Sequence, residues 1–115
     1  MKFKINGTEW IIEEISQRQL KQIHNSRAGR GEKQDTTSLD TMYYGTTFYD
    51  LLKIYIDKDL PKQRKRKTLI HELTHLYINM YITHSDKTYD EEMVADIVAN
   101  SHDIIRKIVD RYFNK

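Results

Sequence analysis

"LIHELTHLY", residues 69–77, places two histidines four apart with a glutamate beside the first. An α-helix turns once in 3.6 residues, so His71 and His75 project from one face about a turn apart, where both imidazoles can reach one zinc ion. Glu72 is rotated by about 100° from His71. It therefore stands beside such an ion rather than on it, in a position to take a proton from water. The pattern H-E-x-x-H carries that mechanism. Chance also produces it, so the rival reading is a surface helix with two unrelated histidines, and the rest of the chain has to decide.

Working outward, "PKQRKRKTLIHELTHLYINMYI" keeps helical spacing from Pro61, the chain's one proline, which suits a first helical turn. Leu69, Leu73, Leu76 and Met80 form one stripe, widened by Ile70 and Tyr77. After the polar break "THSDKTYD" a second helix, "EEMVADIVANSHDIIRKIVDRYF", is expected to bury Val94, Ile97, Val98, Ile104, Ile105 and Ile108. Hydrolytic zinc has three protein ligands and one open position. Glu92 and Asp96, four apart on the second helix, share a face as the histidines do. Glu92 is the candidate third ligand, and Asp96 is the candidate to accept the spare N–H of a ligating histidine and fix its tautomer. Glu91 points about 100° away from Glu92, and His84 is a less favoured ligand from the break. The metzincin spacing needs glycine and a ligand where this chain has Ile78 and Tyr81, which excludes it.

The N-terminal half reads as strands. "KFKI" and "TEWIIEEI" flank Asn6-Gly7, a two-residue turn suited to the twist of a hairpin, with Phe3, Ile5, Trp10 and Ile12 on one face. "SQRQLKQIHNS" suits a short helix with Leu20 and Ile23 on one face, and "RAGRGEKQDTTS" reads as a mobile loop. "TMYYGTTFY" and "LLKIYID" are extended and are expected to pair with each other or with the hairpin. The expected fold is α+β: an antiparallel sheet of three or four strands on two long helices, one domain over residues 1–115, with the ion between the helices.

Composition narrows the function. The chain has 115 residues, 38% hydrophobic and 31% charged, and a formal net charge of +2, which is too little to draw nucleic acid by bulk attraction. The basic run "KQRKRK", residues 62–67, reads as a solvated face or a substrate-steering patch, with nucleic-acid contact as the rival. There is no cysteine, so one zinc ion would be held by histidine and carboxylate alone. No stretch suits a secretory signal or a membrane span, and the cytoplasm is the expected compartment. Candidate donors for a developing oxyanion are Tyr43, Tyr44, Tyr81, His84, Tyr89 and His102, and spacing does not choose among them. Nothing in the pattern sets an oligomeric state.

His-Glu-x-x-His followed by Glu92-x-x-Ala95-Asp96 resembles the gluzincin arrangement of thermolysin-type zinc peptidases. "LIHELTHLY" preceded by "IYIDKDLPKQRKRKT" is closer still to the small ImmA/IrrE metallopeptidases, over roughly Gly45 to Ala99. The resemblance implies a minimal zincin-like domain in which His71, His75 and Glu92 bind zinc, Glu72 is the base, and "LLKIYID" is the edge strand that pairs with an extended substrate. It also implies a protein substrate of the kind those peptidases cut, repressors of phages and mobile elements. The chain departs from that family at Thr74, where glycine is usual. Two readings from other classes stand beside it: a zinc-stabilised interaction module that cuts nothing, and a nucleic-acid binder using residues 62–67.

Overall fold

A computed structural model describes residues 1–28, 34–39, 42–81 and 91–114. The elements run β1 (Lys2–Ile5), β2 (Thr8–Ile15), α1 (Gln17–Ala28), β3 (Gln34–Leu39), β4 (Met42–Phe48), β5 (Lys53–Asp57), α2 (Lys62–Tyr81) and α3 (Glu91–Phe113). The hairpin forms as its turn dictates. Asn6 and Gly7 take positive φ values of 50° and 77°, and Phe3 pairs with Trp10 and Ile5 with Thr8. Helix α1 begins in a capping box. The Ser16 hydroxyl accepts the Gln19 N–H at 3.2 Å while Gln19 accepts the Ser16 N–H at 3.1 Å.

The class is α+β, but the sheet departs from expectation. It has five strands in the order β1-β2-β5-β4-β3, and β2 runs parallel to β5 while the other pairs are antiparallel. Between β2 and β5 the chain crosses through α1, β3 and β4, which is what lets two strands lie parallel. The segment "LLKIYID" is therefore central rather than an edge, and β1 and β3 are the outer strands. Gln34–Ser38, expected in a loop, lies in strand β3, because backbone pairing with β4 overrides its polar composition. Residues 29–33 of that expected loop, and the break holding His84 and Tyr89, lie outside the described residues.

Strand alternation gives the sheet two apolar faces. Tyr55 and Phe48 face α1 with Leu20, while Ile54 and Ile56 face α2 and α3 with Phe3, Ile5, Trp10 and Ile12. Helix α2 is fastened to this second face by Leu69, Leu73 and Leu76, all fully buried, each contributing roughly 1.5–3 kcal/mol. Helix α3 lies beside α2 and buries Ile97, Ser101, Ile105, Ile108, Val109 and Tyr112. Three residues expected inside are not: Ile70, Val94 and Val98 are exposed by 38%, 48% and 60%. Their stripes are wider than the strip of each helix that its neighbours cover.

Much of the basic run is engaged structurally. Lys65 pairs with Glu14 at 2.7 Å, and Glu14 also accepts the Tyr112 hydroxyl. Arg66 meets Asp110 at 3.4 Å, and Arg64 lies over the Tyr44 ring. These contacts tie the start of α2 to the sheet and to α3.

Candidate metal centre

Where α2 crosses β4, the sheet is cut away to receive it. Gly45 and Thr47 lie two apart on β4, paired with Ile56 and Ile54, and so face the helix. A Cβ on Gly45 would meet Thr68 Cγ2 at 2.7 Å and the Tyr55 carbonyl oxygen at 3.0 Å. The missing side chain thus lets the Thr68–Glu72 turn sit down on the strand. About two turns further, Asn79 donates to the Tyr49 hydroxyl and to the His75 carbonyl, both at 2.9 Å, which ties the far side of the motif to the end of β4.

The seating buries Glu72 completely. A buried carboxylate needs polar partners, and the Thr47 hydroxyl donates to Glu72 Oε1 at 3.3 Å. On the outer side, His71 is exposed and His75 half-buried, with ring centroids 4.7 Å apart. Their Nε2 atoms stand 3.1 Å from each other. Two imidazole nitrogens on one tetrahedral zinc are separated by about 3.3 Å, so the observed spacing differs by only a few tenths of an ångström. One donor atom from each of His71, Glu72 and His75 lies within 4.8 Å of the others. Two imidazoles and a carboxylate are donors that zinc accepts, so the residues present fit such an ion.

Glu92 and Asp96 are exposed on α3 and are not members of this convergent group. Ser101, nine residues after Glu92, is buried, so the core-facing side of α3 lies about half a turn from Glu92. The cleft at the two histidines is lined by α2 itself, through Lys67, Ile70, His71, Thr74, His75 and Ile78. Thr74 donates its hydroxyl to the Ile70 carbonyl at 2.7 Å, which satisfies it within the helix.

Other candidates are placed elsewhere. The Tyr81 hydroxyl accepts the Asn6 N–H at 2.9 Å, anchoring the hairpin turn, and Tyr43 stacks on His24. His102 lines the groove between α2 and α3. Sequence spacing missed Thr47, Gly45 and Thr68, which set the height and orientation of Glu72. The one signal was a glycine inside the β-rich stretch "YYGTTF", which marks a close backbone approach.

The peptidase M78 family model, the IrrE N-terminal-like domain, matches residues 31–104. No curated protein and no solved structure matches the chain. The matched region spans β3 through most of α3 and contains the convergent group, and no helix among the described residues is long and apolar enough to cross a membrane. The chain belongs to the IrrE N-terminal-like family of M78 peptidases, whose activity is of the metallopeptidase type and whose substrates are proteins.

Proposed function

We propose that this protein is a zinc-dependent endopeptidase folded as one domain, acting in the cytoplasm on a protein substrate such as a repressor or regulator of a phage or mobile element. The observation that carries the reading is the fully buried Glu72, held by Thr47 beside two imidazoles whose Nε2 atoms converge. His71 and His75 supply two ligands. Glu92 is the proposed third, and Asp96 orients a ligating histidine. When bound, zinc acts as a Lewis acid on the scissile carbonyl and makes water acidic enough to deprotonate near neutral pH.

Glu72 takes the proton of the attacking water and passes it to the leaving amine. The hydrogen bond from Thr47 restrains the Glu72 carboxylate. The substrate lies extended along β3, the outer strand on the side of the sheet where α2 crosses, and pairs with its backbone.

The proximity of all three donors favours a second reading, in which Glu72 is itself a ligand. One variant separates the two. Under the base reading, Glu72→Gln binds zinc as the wild type does, by elemental analysis, and cuts nothing, while His75→Ala loses the metal. Loss of zinc from Glu72→Gln makes Glu72 a ligand, and cleavage that persists without Glu72 overturns both.

A further inference from the structure

Among the side chains that line the cleft at the two histidines, Lys67 is the one that carries a formal charge. His71 and His75 are the candidate ligands, Ile70 and Ile78 are apolar, and the Thr74 hydroxyl is spent on the Ile70 carbonyl. Lys67 precedes His71 by four residues. It therefore stands roughly 6 Å before it along the axis of α2 and about 40° around it, on the histidine-bearing face, and it is exposed. Its neighbours in the basic run are engaged, Lys65 by Glu14, Arg66 by Asp110 and Arg64 over the Tyr44 ring. The Lys67 ammonium meets no anion among the described residues. No acid in the first turn of α2 offsets it. The cleft thus has a cationic end before His71 and an apolar end at Ile78, just past His75.

We propose that Lys67 sets specificity by binding a carboxylate of the substrate close to the bond that is cut. The inference rests on the peptidase reading above. An extended chain advances about 3.3 Å per residue, so a carbonyl held at the histidines lays the next one or two residues or so alongside Lys67. A carboxylate answers an ammonium with a charge-assisted hydrogen bond, about twice as strong as one from a neutral amide, and a substrate lysine or arginine is repelled. The family's substrates are proteins, and the cations flanking Lys67 are already paired, which favours a single carboxylate over a run of phosphates. An aspartate or glutamate side chain can supply that group, and so can the C-terminus of a chain.

The test uses the full-length protein, freed of metal by chelation so that no zinc competes for the carboxylate, and rhodamine-labelled hexapeptides of one alanine–leucine frame. Glu, Gln or Lys replaces each frame residue in turn, and every peptide is made with an amidated and with a free C-terminus. By fluorescence anisotropy, the Glu peptide at the favoured position binds at least about threefold more tightly than its Gln counterpart, and the Lys peptide binds more weakly than either. Lys67→Gln levels the three and Lys67→Glu reverses their order, which a merely structural role would not do. Lys62→Gln, a neutralisation in the same run, leaves the order intact. A preference that follows the free C-terminus instead of Glu keeps the carboxylate site and assigns it to a chain end. Equal signals from Glu and Gln peptides at every position and with both kinds of end, absent signals included, overturn the proposal. So does a preference that survives Lys67→Gln. Tighter binding of a short single-stranded DNA, lost in Lys67→Gln, gives the cation to nucleic acid and overturns it as well. Zinc uptake and cleavage by the wild type are measured separately. A protein that prefers Glu through Lys67 but takes up no zinc refutes the peptidase reading alone, and one that takes up zinc and cuts Glu and Gln peptides alike refutes the role of Lys67 alone.

Discussion

Gly45→Ala tests how closely α2 must approach the sheet. The new methyl would stand 2.7 Å from Thr68 Cγ2 and 3.0 Å from the Tyr55 carbonyl oxygen. Carbon atoms pack best at about 3.5–4.0 Å, so Thr68 must retreat by about 1 Å. Neither obstacle yields easily: Tyr55 belongs to the central strand, and Thr68 is a buried, β-branched residue whose χ1 is restricted. Overpacking of this kind costs about 1–3 kcal/mol, partly offset by the 0.4–1 kcal/mol or so that alanine gains over glycine in the unfolded chain. A net loss of about 1–2 kcal/mol lowers Tm by roughly 4–8 °C for a chain of this length. Thermal unfolding followed by circular dichroism reads this directly. Peptide hydrolysis falls as well, because Glu72 lies one turn beyond Thr68. Thr68→Ser removes the obstructing methyl. Alone it costs roughly 1 kcal/mol of lost burial, whereas in the Gly45→Ala background it restores stability, a coupling of about 1 kcal/mol or more. A Gly45→Ala protein as stable as the wild type, or strict additivity of the two substitutions, refutes the close-approach argument.

Thr47→Val keeps the branched shape and removes the donor to Glu72; kcat should fall about tenfold with KM and zinc content unchanged, and stability by about 1.5 kcal/mol, a hydrogen bond to a charged group being lost. A change confined to KM would remove Thr47 from its orienting role. Glu92→Gln should weaken zinc binding by at least about tenfold in a chelator competition, and undiminished affinity excludes Glu92 from the ligand set. Burial, reinforced by the hydrogen bond to Glu14, holds the Tyr112 phenol above its ordinary pKa of 10.0. The native state therefore keeps a proton that the unfolded chain releases above that pH, and stability declines as the solution becomes more alkaline. Tyr112→Phe should flatten that alkaline limb in urea titrations at pH 9 to 11, and an unchanged slope would count against the cause.

What could be read in advance was local. The Asn6-Gly7 turn fixes the hairpin register within a few residues, and the leucine stripe of α2 needs only the helical period. Sheet order is another matter. β2 lies beside β5 across about forty residues of chain, and neither strand's own pattern names the other as its partner. β3 is polar enough to pass for a loop because backbone pairing, rather than its side chains, makes it a strand. Val94 and Val98 were misassigned because a helical wheel gives the width of an apolar stripe and says nothing of where the neighbouring helix stops covering it. His71, Glu72 and His75 were legible because one turn of helix contains all of them. Thr47 was not, since it reaches Glu72 only through the way α2 is laid on β4.

The side-chain amide of Asn6 donates to the Met80 carbonyl at 3.2 Å, and its backbone N–H to the Tyr81 hydroxyl. The tip of the N-terminal ribbon is thereby latched to the tail of the histidine-bearing helix, although that ribbon precedes the stretch the family model matches, residues 31–104. Excising the matched stretch would strip the hairpin from the flank of β5, uncover Ile54 and Ile56, and remove Ile105, Ile108, Val109 and Tyr112 from the interior. The smallest piece able to hold its histidines in register is accordingly larger than residues 31–104.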